Sequence, residues 1–393
     1  MTILNNSHWV SSIYGRSGYG EVNRAILKEM IKRKIHFSFE SYDWDKGMTA
    51  DERDYPKAEF KMRENLPKSH LVVNMDNIIH HRIMTISDTD MFSKQAREKN
   101  QIMMTVYEYE PAPPPTWIKG FNNYDLVITP SEYCKKIFSQ PDMTTPIEVV
   151  NWGYDPNIYK EDYKEKFSDK RDYAEKPFTF LSVFQWGGRK SPYELINAYL
   201  QEFSGSDNTR LLLRTYVDGS EATMLTIARK IRRWCYKIHR FTGKTDFPFI
   251  QMVTNTLSNN ALAHLYQRSD AYIHTARGEG FGLPVLETMA CKTPAIATNF
   301  HAVGEFYKDE DFAIKGYKDV PMDDYYVGSI YDPQFGTRDK VPYIMEIREK
   351  MRKMFELSPE ERRKKGEEQY ESIKHMTWQR TVDQLEAINI EES

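Results

Sequence analysis

The stretch ARGEGFGLPVLE, residues 276–287, decides how the rest of the chain is read. Gly278, Gly280 and Gly282 alternate with Glu279 and Phe281, and Leu283-Pro284 follows, so a bare turn opens onto a helix. Amides from Gly280 to Leu283 then lie at the positive end of that helix, where an anion is favoured. The spacing is not the dinucleotide fingerprint, because the third glycine of G-x-G-x-x-G would fall on Leu283. Glu279 stands before the helix and Glu287 about one turn inside it. Carboxylates cannot hold phosphate, but they accept hydrogen bonds from hydroxyls. A ligand with phosphate in its middle and hydroxyl-bearing sugars on both sides would satisfy all of these groups. The plainer alternative is an ordinary turn with Glu287 complementing the helix dipole.

Two further glycine-rich turns join a strand to a helix. FQWGGRKSPYEL (184–195) sets Arg189 and Lys190 just before Ser191, which is expected to cap a helix with Pro192 first and Glu194 closing the box. Two cations at a helix start oppose its dipole, and a bound anion would remove that conflict. YGRSGYGEVNRAIL (14–27) carries Gly15, Gly18 and Gly20, whose backbone would be open to the same kind of group. Solvated basic residues at a loop tip and an ordinary turn are the bland readings of these two stretches.

Outward from these turns, short apolar runs alternate with helical patterns. Strand candidates are 8–13, 71–75, 102–109, 125–130 and 147–151 in the first half, then 178–184, 210–216, 249–253, 271–275 and 295–298. Between 21 and 34, Val22, Ala25, Ile26 and Met30 share one helical face. Apolar strands separated by helices make parallel sheets covered on both faces. The charged, aliphatic-poor stretch from about 155 to 176 reads as a linker. Near the other end, Ser358 and Glu361 form a capping box, and Trp378, Val382, Leu385 and Ile388 make one apolar stripe.

These motifs, in this order, resemble those of retaining glycosyltransferases of the group 1 type (family 4). The resemblance rests on SGYGEVNRA (17–25), DLVITPSEYCKKIF (125–138), VVNWGYDPNIY (149–159), GGRKSP (187–192) and the long run 257–298. Glu279 and Glu287, with seven residues between them, match the paired glutamates of that family. The resemblance implies an α/β GT-B fold, with two Rossmann-like domains facing each other across a cleft. Residues 1–172 would bind acceptor, 173–372 would bind the nucleotide sugar, and 373–393 would cross back as a helix onto the first domain. By position, Arg189 and Lys190 would contact the diphosphate. Glu279 with Gly280, Phe281, Gly282 and Leu283 would hold the transferred sugar and its phosphate. Glu287 would take the ribose hydroxyls, Met252 and Val253 would line the base, and Gly18 would approach the diphosphate from the acceptor side. Transfer would retain configuration, with GDP-mannose and UDP-glucose the first donors to try and a glycan or glycoside hydroxyl as acceptor.

One departure concerns the histidine that many relatives carry at a strand end near the anomeric carbon. The nearest match here is Asp76, with His80 and His81 shortly after, while Glu108 and Glu110 are rival polar residues at another strand end. No protein nucleophile is identifiable.

Other readings have their own signatures. Asp-x-Asp matches at 43–45 and 88–90 suggest a metal-dependent transferase, but 57 acidic residues make such matches cheap and neither follows a convincing strand. No metal or cofactor is therefore expected. A nucleotide-sugar epimerase or a phosphorylase on the same architecture would form product without an acceptor, and a catalytically silent binder would release no nucleotide. The run 227–244 has seven basic residues and no acids, with Ile227, Ile231, Trp234, Ile238 and Phe241 on one stripe. It reads as a core-docked helix with a solvated basic face, or as a peripheral membrane contact.

The totals lead to the expectation of a soluble two-domain protein. At 393 residues and 40% hydrophobic content the chain can build real cores. A net charge of −3 disfavours a nucleic-acid partner. No apolar run approaches the roughly 18 residues of a spanning helix, and MTILNNSHWV lacks the parts of a secretory signal. Cys134, Cys235 and Cys291 are far apart, as reduced thiols of a cytoplasmic protein would be.

Overall fold

The computed structural model describes residues 2–15, 17–41, 50–64, 76–81, 99–161, 176–216, 223–322 and 336–390. The strand candidate 71–75, both Asp-x-Asp matches and most of the expected linker lie outside them. The chain divides into two compact units. The first comprises Met1–Asp155, Pro321–Arg338 and His375–Ser393; the second comprises Pro156–Val320 and Asp339–Lys374. Pro321–Arg338 thus groups with the first unit, although the sequence reading places it in the second domain.

The first unit carries a parallel sheet of β1 (Ser7–Ser11), β2 (Phe37–Ser41), β3 (Asn77–His81), β4 (Asn100–Met104), β5 (Leu126–Thr129) and β6 (Ile147–Val149), in the order β2-β1-β3-β4-β5-β6. Its helices are α1 (Gly18–Lys32), α2 (Lys57–Glu64), α3 (Pro115–Phe121) and α4 (Glu132–Phe138). Helix α1 buries Val22, Ala25, Ile26 and Met30 as its spacing predicts. Each of the larger three contributes about 1.5–3 kcal/mol of burial.

The second unit has six parallel strands: β7 (Phe178–Gln185), β8 (Thr209–Tyr216), β9 (Phe249–Val253), β10 (Ala271–His274), β11 (Ala295–Thr298) and β12 (Ala313–Ile314). Their order is β12-β11-β10-β7-β8-β9. Its helices are α5 (Pro192–Glu202), α6 (Thr223–Thr242), α7 (Asn259–Gln267), α8 (Leu283–Ala290), α9 (Val303–Phe306), α10 (Ile344–Glu356) and α11 (Pro359–Ile373), the last opened by the expected Ser358–Glu361 capping box. Strands β13 (Tyr317–Pro321) and β14 (Arg338–Pro342) pair as a small separate sheet.

Helix α12 (Trp378–Ala387) belongs to the first unit and packs on α1. Trp378, Val382 and Leu385 are buried there. Ile388 falls just past the helix, and its carbonyl accepts from the Ile3 amide. The α6 stripe is mostly committed to the second unit's core: Ile227 and Ile238 are buried, and Ile231 and Trp234 pack against the core partly covered. Phe241 departs from the expected stripe and is exposed. Among the described residues no helix is long and apolar enough to cross a membrane.

Candidate active site

Strand order singles out one place in each sheet. In the second unit the chain runs β7-β8-β9 to one side, then returns past β7 to continue β10-β11-β12 on the other. The loops leaving β7 and β10 therefore diverge, and a crevice opens between them at the carboxyl ends of the strands. In the first unit the same reversal falls between β1 and β3.

At the second unit's reversal, two loops are laced together. The Arg277 amide donates to the Arg189 carbonyl at 2.7 Å, and Arg189 Nη1 donates to the Gly278 carbonyl at 2.9 Å. The Arg277 guanidinium spans three acceptors: Ser191 Oγ at 3.1 Å, Glu194 Oε1 at 3.1 Å and Asp339 Oδ2 at 2.7 Å. This corrects the expected capping box. Ser191 sits at φ 51° with no side-chain cap, because Arg277 engages both its hydroxyl and the Glu194 carboxylate. Pro192 does open the helix.

The lacing brings Arg189, Lys190 and Glu279 together. Lys190 Nζ donates to Glu279 Oε1, and Arg189 Nη1 lies 3.3 Å from Oε2. Burial pushes the Glu279 carboxyl up, but the Lys190 and Arg189 charges outweigh it and bring its pKa to about 2. His274, at the carboxyl end of β10, lies 3.6 Å from the same carboxylate. Burial nonetheless lowers its pKa to about 4, against the opposing pull of Glu279, so it is neutral at pH 7. Two cations thus meet one carboxylate beside the turn into α8. Gly282 caps that helix at φ 100°, and a Cβ there would stand 2.7 Å from Val303 Cγ2, so only glycine fits. Leu283 is the first helical residue and Pro284 the second, one place later than the sequence suggests. Glu287 is buried on α8 and accepts from the Tyr266 hydroxyl at 3.0 Å. Met252 and Val253 close β9 at the same sheet edge, two strands from β7, and both are half-buried. Among the described residues, no group of three or more His, Cys, Asp or Glu side chains is placed to hold a metal ion.

At the first unit's reversal, Ser17 caps α1, and Gly18 begins it with open space where a side chain would be. Gly20 is tight: a Cβ would sit 2.1 Å from the Gly15 carbonyl oxygen. Arg24 holds that turn by donating to the carbonyls of Ile13 and Gly15, both at 2.8 Å. Asp76 is not at this edge. It precedes β3 at the amino end of the sheet, pairing with Asn6 through backbone and side chain, each at 3.0 Å. A five-residue strand, about 16 Å long, separates it from the other edge. His81 stands at the carboxyl end, in register with Ser11 of β1. The strand pleat sends His80 to the opposite face, where it meets Gln101 at 3.1 Å. Glu108 and Glu110 follow the carboxyl end of β4, one strand further on.

Sequence reasoning did not single out Asn23, Arg24, His274 or Arg277. Their roles depend on contacts between segments that no local pattern displays.

Residues 250–320 match the family model described as glycosyl transferases group 1. No curated protein sequence matches the chain. Among solved structures, the Anabaena protein HepE in complex with UDP and glucose is similar at TM-score 0.63 and 13% identity, covering 97% of this chain and 98% of that one. A UDP-forming α,α-trehalose-phosphate synthase from Burkholderia vietnamiensis is similar at 0.63 and 12%, covering 98% and 100%. Sucrose-phosphate synthase from Thermosynechococcus elongatus reaches 0.64 at 14%, covering 97% of each chain. At such identities the likeness shows the fold, and the match at 250–320 falls on the paired glutamates. The chain thus has the GT-B fold, and its segment 250–320 is similar to group 1 glycosyltransferases.

Proposed function

We propose that the chain moves a hexose from a nucleoside diphosphate sugar to a hydroxyl of a glycan or glycoside, with retention of configuration and without a metal. The observation that carries this reading is the gathering of Arg189, Lys190 and Glu279 beside the amides before α8. Breaking the anomeric C–O bond puts positive charge on the sugar and negative charge on the departing phosphate. Arg189, Lys190 and those amides are fixed donors for that developing charge, so they stabilise the transition state more than the ground state.

In this reading Gly280, Phe281, Gly282 and Leu283 hold the phosphate, and Glu279 orients hydroxyls of the transferred sugar. Glu287 takes the ribose, Met252 and Val253 line the base, and Gly18 leaves backbone open to the diphosphate. UDP-glucose is the first donor to try, because HepE is described with UDP and glucose and the trehalose-phosphate synthase is UDP-forming. GDP-mannose is the second.

The test is thermal stabilisation by each donor, followed by nucleotide release with and without glycoside acceptors and chelator. Product whose anomeric configuration matches the donor, formed in chelator, supports the proposal. Binding without release would leave a silent binder, product without acceptor an epimerase, and loss of activity in chelator a metal enzyme.

A further inference from the structure

The reversal in the first unit holds a hydrogen-bond chain whose directions can be fixed. Asn23 on α1 is fully buried, and its Nδ2 lies 2.8 Å from the Ser12 carbonyl oxygen. A carbonyl only accepts, so the amide NH2 must face Ser12 and Oδ1 must face the other way. Oδ1 lies 2.6 Å from His81 Nδ1. It too only accepts, so Nδ1 carries the proton. Flipping the amide would set two acceptors 2.8 Å apart at Ser12. Burial lowers the pKa of His81 to about 3, so the ring is neutral at pH 7. Its Nε2 therefore has a lone pair and no proton. That atom is buried with no hydrogen-bond partner among the described residues, and the Tyr19 and Trp152 rings flank the imidazole at 5.0 and 5.9 Å between centroids. Leaving such an acceptor bare costs about 1–3 kcal/mol.

We infer that Asn23 is a positioning residue that holds His81 as its Nδ1–H tautomer, so that Nε2 accepts a hydrogen bond from a sugar hydroxyl. Phosphate oxygens, being acceptors, are refused there, so this reversal is set for hydroxyls while the one in the second unit is set for charge. The donor's hexose and the acceptor glycoside both carry such hydroxyls. The inference rests on the proposed transfer only for the identity of the ligand.

Long-range proton–nitrogen spectra of the 15N-labelled protein at pH 7, with His81 assigned by the loss of its signals in His81→Gln, read the tautomer directly. The expected pattern is a protonated Nδ1 and a bare Nε2, the reverse of the preference of a free imidazole side chain. Nε2 should shift toward a hydrogen-bonded value on adding UDP-glucose, if the donor sugar is the source, or methyl α-glucoside, if the acceptor is, and should not move with UDP alone. Asn23→Leu should return the ring to Nε2–H and weaken the active sugar ligand about tenfold, while UDP binds as before. A wild-type ring protonated at Nε2 would overturn the inference, and so would an Nε2 that neither sugar moves while UDP-glucose binds. Neither result touches the donor site. Failure of every nucleotide sugar to bind would instead remove the proposed function and leave the tautomer measurement standing.

Discussion

Two chain reversals of one topology carry different chemistry. Between β7 and β10 the contacts are ionic: Arg189, Lys190 and Glu279, with Arg277 lacing the loops. Between β1 and β3 the Arg24 guanidinium is held by Glu21 and the Ile13 and Gly15 carbonyls, and beside it His81, Asn23 and the Ser12 carbonyl form a neutral, directed chain. Parallel strand order fixes where a crevice opens, but not what it binds. That is written in the few residues that follow each strand.

The comparison breaks most readily at the ionic reversal. Arg189→Ala and Lys190→Ala should each lower turnover about 10²–10³-fold, the usual loss when one preorganised donor to developing charge is removed. Near-normal steady-state rates in both would end the assignment. Acid tests both reversals next. Burial depresses His274 to about 4 and His81 to about 3, below the unfolded value of 6.5. Unfolded chains thus bind protons that these rings refuse, so the stability is complete above about pH 6.5 and falls as pH drops toward those values, by about 1.4 kcal/mol per pH unit for each ring. Urea unfolding at pH 7 and pH 5 should show this slope, and His274→Gln or His81→Gln should each remove one ring's share. An unchanged slope in both variants would contradict the burial argument.

Gly282→Ala probes the turn itself. At φ 100° and against Val303 it should cost about 1–3 kcal/mol of stability, read by the same titration. The smallest effect belongs to Arg33→Ala, which removes partly exposed ion pairs to Asp383 and Glu386 between α1 and α12. It should cost less than about 1 kcal/mol, and less still in high salt.

Legibility in the sequence followed how local each signal was. Nine of the strand candidates overlap strands, because runs such as FTFLSVF carry enough apolar residues to declare themselves. The edge strand β2, FSFES, and β3, NIIHH, went unmarked: serines, asparagine and paired histidines dilute both patterns, and pairing with β1, and for β3 also with β4, makes strands of them. Arg189, Lys190 and Glu279 were legible because each lies just beyond a strand in a glycine-rich turn. Asp76 misled for the converse reason. The register of β3 was unknown, and without it nothing told the amino end of the strand from the carboxyl end. Ser191 and Glu194 fitted a capping box in spacing, yet Arg277, more than eighty residues away, had a stronger claim on both.

The first unit is closed by residues 375–388, more than two hundred positions after most of its sheet. Gly153 leaves no room for a side chain beneath the Thr377 backbone, the Tyr154 amide donates to the Met376 carbonyl, and Thr381 Oγ1 donates to the Asn151 carbonyl. On the ribosome, then, residues such as Asn151 must wait for partners made some 230 positions later. Until residues 375–388 emerge from the exit tunnel, the part of α1 that packs on α12 stays open, the kind of exposed apolar surface that makes nascent chains prone to aggregate.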